Sequence, residues 1–217
     1  MTLIVVRSSV SFALLLGAVM LLPGCLSLGS APDAKIYAPK IVITAPETTP
    51  IVTWSLLLAR PMSSDAIDSE RIVVRPQSGE VNVYEGAAWS DAAPDLLQAA
   101  MQQAFEDSGK ITGVARQSSV MSGDFVLVSE LRHFESIYTD RKQPPAIVVE
   151  MQLTLMSHTG NHVLAKHNVK ITVPAASVEI VDVIDAFKNA MTDAITETVD
   201  WTLRTGQDHV PSPAAVH

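Results

Sequence analysis

In the stretch Val148-Val-Glu-Met-Gln-Leu-Thr-Leu-Met156, apolar and polar residues alternate with a period of two. One face carries Val149, Met151, Leu153 and Leu155, and the other carries Glu150, Gln152 and Thr154. Such alternation is typical of a β-strand with one buried and one wetted face, which antiparallel sheets tolerate and parallel sheets rarely do. The stretch therefore predicts a strand of an antiparallel sheet.

The same alternation returns between Val163 and Val173. Its apolar residues predict an inward face, and its polar residues predict an outward one. The inward set is Val163, Ala165, Val169, Ile171 and Val173, and the outward set is Lys166, Asn168 and Lys170. The turn-forming run His158-Thr-Gly-Asn161 lies between the two stretches, so together they predict a β-hairpin.

The remaining periodicity predicts more strands and two helices. Strands are expected at Ile51–Arg60, Arg71–Arg75, Val81–Tyr84, Ile111–Ala115 and Phe125–Phe134. One helix is expected to begin at Pro94 and to end before Gly109. A second is expected to run from an N-cap at Ser177 to about Leu203. This order predicts an α+β fold: a mostly antiparallel sheet with two amphipathic helices packed on one face.

The amino-terminal residues predict export and lipid attachment. Arg7 precedes an apolar run that ends at Leu22, and this run is shorter than the about 20 residues of a membrane-spanning helix. We therefore interpret residues 1–24 as a signal peptide. Leu22-Pro23-Gly24-Cys25 resembles the lipobox of bacterial lipoproteins, which implies that Cys25 becomes the first mature residue and carries covalent lipid. The alternative is a free thiol after an ordinary signal peptide.

The lipobox resemblance also implies a location and a domain layout. The residue after Cys25 is Leu26 rather than the Asp that marks inner-membrane retention, so the resemblance implies the outer membrane, on its periplasmic side. Residues 25–50 are expected to be the lipidated cysteine and a tether, in which Ile41–Thr44 is either a strand or more tether. Residues 51–205 are then the α+β domain, and 206–217 are a disordered tail.

Composition excludes several classes of protein. The chain has 15 Lys+Arg against 23 Asp+Glu, a net charge of −8, so it lacks the excess of cations that nucleic-acid binding requires. Aromatic residues make up only 5%, which argues against a stacking platform for single strands. The single cysteine excludes an intrachain disulfide and a cysteine zinc cluster.

Catalytic chemistry has little support in the sequence. No phosphate loop, dinucleotide fingerprint, nucleophile elbow or His-Glu-x-x-His motif occurs. His133 is better explained as a strand residue than as a base, and His158 and His162 as a solvated turn than as metal ligands. The carboxylates Asp65, Asp68 and Glu70 are typical of a polar loop, although paired acids are the alternative. We predict no catalytic site, no metal and no cofactor other than covalent lipid on Cys25.

The second helix is acidic, and its charge has two interpretations. Its carboxylates either form an ordinary solvated face or dock a basic partner, and the solvated face is favoured. They are Glu179, Asp182, Asp185, Asp193, Glu197 and Asp200, against Lys188 alone.

A family resemblance runs through the middle of the chain. It is carried by Trp54-Ser-Leu-Leu-Leu-Ala-Arg-Pro61, Asp68-Ser-Glu-Arg-Ile-Val-Val-Arg75, Val81-Asn-Val-Tyr-Glu-Gly-Ala-Ala-Trp89, Ala93-Pro-Asp-Leu-Leu97 and Phe125-Val-Leu-Val-Ser-Glu-Leu-Arg-His-Phe134. From Ile51 to Leu203 the chain resembles the auxiliary lipoproteins of ABC-type lipid transporters. The resemblance implies a non-enzymatic, lipid-anchored protein that works with a periplasmic MCE-type protein, a permease and an ATPase. It does not fix the oligomeric state, and a homo-oligomer stays open.

On this hypothesis, four residues are candidates for the partner surface: Arg71, Arg75, Tyr84 and Trp89. The alternative is structural, with the two arginines charging an exposed strand face and Trp89 filling the core beside the first helix. Two other functions stay open. One is a domain that itself holds an apolar ligand in a cavity between sheet and helices, and the other is an envelope protein that binds the cell wall.

Overall fold

The computed structural model describes residues 34–76, 78–140, 142–159 and 162–210. Within them lie nine strands: β1 (Lys35–Tyr37), β2 (Val52–Leu58), β3 (Met62–Ser63), β4 (Arg71–Pro76), β5 (Asn82–Trp89), β6 (Ile111–Arg116), β7 (Phe125–Tyr138), β8 (Ala146–Ser157) and β9 (His162–Pro174). The same residues form two helices, α1 (Ala93–Asp107) and α2 (Ile180–Asp208). The predicted signal peptide, Cys25, and Gly160 and Asn161 of the predicted turn lie outside the described residues.

The predicted hairpin is formed by β8 and β9, which pair antiparallel along their whole length. The inward residues of β8 are completely buried: Val149, Met151, Leu153 and Leu155. On the other face, Glu150 forms an ion pair with Lys170 of β9 at 2.8 Å. A register shift beside Leu155 turns Val163 to the opposite face, where it is 49% exposed, so the prediction that Val163 points inward is wrong.

The central strand is β7, and its pairing makes the sheet mixed. One edge of β7 pairs antiparallel with β8. The other edge pairs in succession with β2, β3 and β4, and all three of these pairs are parallel. The β1–β5 and β2–β6 pairs are also parallel, so five of the eight strand pairs are parallel. The prediction of a mostly antiparallel sheet is therefore wrong.

The prediction failed because the alternation of apolar and polar residues gives only local information. It shows which face of a strand is buried, but it does not show which distant strand lies beside it. At the start of β7, Phe125, Val126 and Leu127 are all buried, and such burial on both faces is typical of parallel strands.

Both helices pack with the sheet into one hydrophobic core. Pro94 lies in the first turn of α1 and Asp95 complements the helix dipole there, as predicted. The chain leaves α1 through Gly109, whose φ of 61° favours glycine. The N-cap of α2 is Glu179 rather than the predicted Ser177. The Ser177 hydroxyl instead donates to Asp182 at 2.5 Å and accepts from the Glu179 backbone N–H, so it fixes the entry of the chain into α2.

Residues before the predicted domain are part of the packed body. β1 pairs with β5, and Ile41 and Thr49 are buried although residues 41–44 form no strand. Lys110 donates to the backbone carbonyl of Thr49 at 2.8 Å, and the Thr49 hydroxyl donates to Asp200 of α2. The predicted tether therefore joins the body at β1.

The carboxyl end of the body also extends past the predicted boundary. Helix α2 continues to Asp208 and so includes residues 206–208 of the predicted tail. Gly206 makes this continuation possible, because it has no side chain and the indole of Trp54 packs directly against the helix at this point. A glycine in a helix costs about 1 kcal/mol relative to alanine, and here the close approach of Trp54 accounts for it.

Candidate functional site

The histidine and carboxylates that were weighed against a catalytic role take part in ion pairs or lie exposed. His133 Nδ1 is 2.7 Å from Glu135 Oε1, and Asp68 forms an ion pair with Arg60 at 2.6 Å. Asp65 and Glu70 are exposed. Within the ranges that the structure describes, no group of three or more His, Cys, Asp or Glu is placed to hold a metal ion.

Arg60 joins the loop before β4 to the start of α1. Its guanidinium also reaches Asp95 at 2.8 Å, and the hydrogen bonds that it donates hold the pKa of both the Asp68 and the Asp95 carboxyl below their usual range. All three side chains are about 40% exposed, so water screens the pair and its contribution to stability is at most about 1 kcal/mol. This cluster therefore positions a loop rather than forming an acid–base site.

Trp89 lies in the core and not on the surface. It is 1% exposed, and its ring packs against Phe134 of β7 and edge-to-face against Phe187 of α2, with centroid distances of 5.6 and 5.1 Å. The predicted partner surface therefore loses Trp89, and the structural alternative describes this residue.

Arg75 is held by a buried carboxylate. Glu135 of β7 has no exposed side-chain surface, and it accepts hydrogen bonds from Arg75 Nε at 2.9 Å and from His133. Burial alone raises the pKa of Glu135, but the hydrogen bonds from Arg75 and His133 outweigh it and hold that pKa below its ordinary value. The Arg75 guanidinium is therefore paired within the chain, and the sequence analysis did not identify Glu135 as its partner.

The buried pair belongs to a network of charges on the sheet face opposite the helices. His133 lies opposite Glu150 in the β7–β8 register, and Glu150 pairs with Lys170. The hydrogen bond from Lys170 lowers the pKa of Glu150. Arg75 of β4 lies against Glu135 of β7, and Lys170 of β9 lies against Glu150 of β8, and such pairs of opposite charge on neighbouring strands are favourable.

Arg71 and Tyr84, the other two predicted partner residues, line one cavity of about 730 Å³ beside the β4–β5 hairpin. Its apolar lining residues are Val74, Pro76, Val81, Val83 and Val178. Its polar lining residues are Arg71, Asn82, Tyr84, Glu85 and Tyr138. The alternative function, a domain that itself holds an apolar ligand, required a cavity between the sheet and the helices. This cavity lies at the hairpin instead, and its described lining includes no helix residue, only Val178 in the segment before α2.

The Tyr84 and Tyr138 side chains are joined by a hydrogen bond between their hydroxyl groups at 2.7 Å. Burial raises the pKa of Tyr84 well above its ordinary value, so the hydroxyl stays neutral. The β4–β7 register explains why the two tyrosines are close: it places Pro76 opposite Tyr138 and so brings the end of β7 beside the β4–β5 hairpin.

Half of the acidic residues of α2 have partners within the chain. Asp182 accepts from Ser177, Glu197 lies 2.7 Å from His167 Nε2, and Asp200 accepts from Arg204. His167 also stacks on Trp201, with ring centroids 5.3 Å apart. The His167 contacts hold α2 against β9, and Asp200 also accepts from Thr49 of the amino-terminal segment. These pairings reduce the acidic surface available to a basic partner.

Among the described residues, no helix has the length and apolar character needed to cross a membrane.

Known proteins provide the comparison for this arrangement. Protein XCC0632 from Xanthomonas campestris has a crystal structure with a TM-score of 0.77 and 40% sequence identity, covering 81% of this chain and 98% of that one. The crystal structure of an uncharacterized protein has a TM-score of 0.61 at 10% identity, covering 78% and 99% of the two chains, and shows the fold alone. No curated protein matches the chain.

A family model described as the ABC-type transport auxiliary lipoprotein component matches residues 39–209. These residues include both helices and every described strand except β1. This family is a transport component of the cell envelope and not a known class of enzyme. The chain belongs to the family of ABC-type transport auxiliary lipoproteins.

Proposed function

We propose that this protein is a lipid-anchored auxiliary component of an ABC-type intermembrane lipid transport system, and that it binds an MCE-type protein of that system in the periplasm. Family membership supports the transport role. The observation that carries the binding role is one surface at the β4–β5 hairpin, where an arginine without an ion pair and three exposed valines surround a cavity.

We name this region the hairpin surface and define it by Arg71, Val81, Val83, Tyr84 and Val178. Val81, Val83 and Val178 are each at least 40% exposed, although large apolar side chains are usually buried. An exposed apolar patch with a polar rim is typical of a binding site for a protein or a ligand. Strand β4 contains two arginines. Arg75 forms an ion pair with Glu135, so Arg71 is the one that is available to a partner.

The anchor in this proposal is covalent lipid, palmitate or a similar acyl chain, on Cys25. Nine residues lie between Cys25 and Lys35 of β1, and the ten steps from one Cα atom to the next span at most about 35 Å. The body would then work within that distance of the membrane, which we propose to be the outer membrane on its periplasmic side. Each buried methylene contributes about 0.8 kcal/mol, so two or more acyl chains hold the protein stably.

Replacing the anchor residue tests this part of the proposal. Cys25→Ser is expected to abolish incorporation of labelled palmitate and to release the protein from sedimented membranes, because serine carries no thiol for the thioether bond. The measurement compares label and sedimentation with the wild type in the same cells. A Cys25→Ser protein that still takes up label, or an unmodified thiol in the mature wild type, would contradict it.

Partner binding is tested by reversing one charge on the hairpin surface. Arg71→Glu is expected to lower co-purification of the MCE-type protein about tenfold or more, since opposing charge at an interface is strongly unfavourable. Lys166→Glu, on the exposed face of β9, is the matched control and is expected to leave capture unchanged. Both variants should keep the wild-type thermal stability. Equal capture by Arg71→Glu and wild type would contradict the proposed surface, and retention on peptidoglycan instead would favour a cell-wall role.

A further inference from the structure

The cavity at the hairpin surface has the size and wall chemistry of a ligand site. Its volume of about 730 Å³ lies within the range of about 300–1,000 Å³ that is usual for small-molecule sites. Half of its lining residues are valine or proline, which offer dispersion contacts and no hydrogen bonds. Such walls suit an alkyl chain.

Arg71 gives the cavity a cation that forms no ion pair with another described residue. Six arginines are described, and four of them are in ion pairs: Arg60, Arg75, Arg132 and Arg204. The side chain of Arg71 has no ion pair or hydrogen bond in the described residues, and it is exposed. A guanidinium is suited to bind a carboxylate or a phosphate with two parallel hydrogen bonds.

The other polar groups of the cavity limit the charge of a ligand. Glu85 lines the same cavity without an ion pair in the described chain, so a ligand with several negative charges would be repelled. The Tyr84 and Tyr138 hydroxyls are bonded to each other and supply neutral contacts. One anionic group is therefore the charge that the site accommodates best.

The path of the chain places the cavity near the point where the described chain enters β1. β1 runs parallel to β5 with Lys35 opposite Ala87, so the chain enters β1 from the end of β5 that carries Tyr84 and Glu85. These two residues line the cavity. On the proposed function, the chain before β1 leads to the lipid on Cys25, so a membrane lipid is the nearest source of a ligand with an alkyl chain.

We infer that the cavity at the β4–β5 hairpin binds an amphiphile with an acyl chain and one anionic group, the chain lying against Val81, Val83 and Val178 and the anion on Arg71. The inference rests on the proposed function for the membrane as the source of the ligand. The anionic group is a carboxylate in a free fatty acid or a phosphate in a phospholipid, and both present the same chemistry to Arg71.

Photo-crosslinking with purified full-length protein tests the inference in the absence of any transporter partner. The protein is placed in phosphatidylethanolamine vesicles that contain either palmitic acid or phosphatidylglycerol, each with a diazirine in an acyl chain. Adducts are located by peptide mass spectrometry. We expect adducts on the Val81–Tyr84 segment, with one probe or with both, and the reactive probe identifies the source of the ligand.

Two variants and one control make the result specific. Arg71→Glu repels the anion and is expected to lower the yield of hairpin adducts about tenfold, the effect of losing one charge-assisted contact. Val83→Trp narrows the part of the cavity that takes the acyl chain and is expected to lower the yield as well. Val163→Trp changes an equally exposed strand valine outside the cavity and should leave the yield unchanged. Circular dichroism checks that each variant is folded.

The outcomes separate this inference from the proposed function. Absence of hairpin adducts with both probes, or a yield that neither cavity variant lowers, overturns the ligand site. If that result accompanies normal capture of the MCE-type protein, the hairpin surface binds protein and only the ligand inference fails. Hairpin adducts together with failed capture would instead sustain the ligand site and remove the partner proposal.

Discussion

Replacing Arg75 with leucine is expected to lower the free energy of unfolding by about 3 kcal/mol at neutral pH, the typical cost of removing one partner of a buried ion pair. Leucine cannot donate a hydrogen bond, so of the two side chains that bond to Glu135 only His133 remains. Urea unfolding of the two proteins measures the difference. Arg71→Leu is the matched control in the same strand, and its expected change is within about 0.5 kcal/mol.

The dependence on pH identifies the buried charge as the cause. In the wild type the pKa of Glu135 is lowered, so its contribution to stability is present above about pH 4.3 and is lost as the pH falls through the folded value. In Arg75→Leu, burial without the guanidinium raises the pKa of Glu135, and protonation relieves the penalty. The stability difference should therefore shrink from neutral pH to about pH 4.

A second substitution completes this test. Adding Glu135→Leu to Arg75→Leu is expected to recover most of the lost stability, because replacing both partners by apolar groups is often nearly neutral. A penalty in Arg75→Leu that is independent of pH, or one that Glu135→Leu does not reduce, would show that Arg75 acts through packing of its aliphatic part instead.

The second large effect is expected at Gly206, where alanine should destabilise the protein although it is the better helix former. A Cβ at this position would overlap Cζ2 of Trp54 and lie 2.8 Å from Cη2. Trp54 has little freedom to move, since it is 5% exposed and packs edge-to-face on Phe125 at 4.9 Å. We expect a net loss of about 2 kcal/mol, in which overpacking exceeds the gain of about 1 kcal/mol in helix propensity.

Thermal and urea unfolding of Gly206→Ala provide the measurement. Gly113→Ala is the control, because a Cβ there would find its nearest neighbour at 3.8 Å, an ordinary contact. In the background Trp54→Phe, the smaller ring leaves room for the Cβ, so the cost of Gly206→Ala should fall below half of its value. A stabilising Gly206→Ala would show that the indole moves aside without cost.

The local sequence pattern predicted most of the strands and helices, but it did not predict which strands pair with each other. The β8–β9 hairpin and both helices were predictable, because each repeats a period along one continuous segment. The parallel partners of β7 were not, since Val73 and Glu135 are paired across about 60 residues of sequence and nothing in either segment specifies the other. β1 and β3 were missed because strands of three and two residues are too short to show a period.

The same limit applies to the candidate site. Arg71 and Tyr84 were predicted together and line one cavity, because the hairpin that joins them is local. Glu135 was missed, since its role depends on the distant register that places β4 beside β7. Trp89 was a candidate for the partner surface with core burial as the alternative, and its burial comes partly from Phe187, about 100 residues further along the chain.

The succession of β2, β3 and β4 along one edge of β7 constrains the order in which the protein acquires its structure. Each of these strands precedes Phe125 in the chain, so on a ribosome or during export none of them can complete its pairing until β7 has emerged. Closing such distant contacts is entropically costly and slow, and unpaired strands are prone to aggregate meanwhile. Chains that end before β7 therefore leave these three strands without their β7 partner, and we expect such chains to aggregate more readily than the full chain.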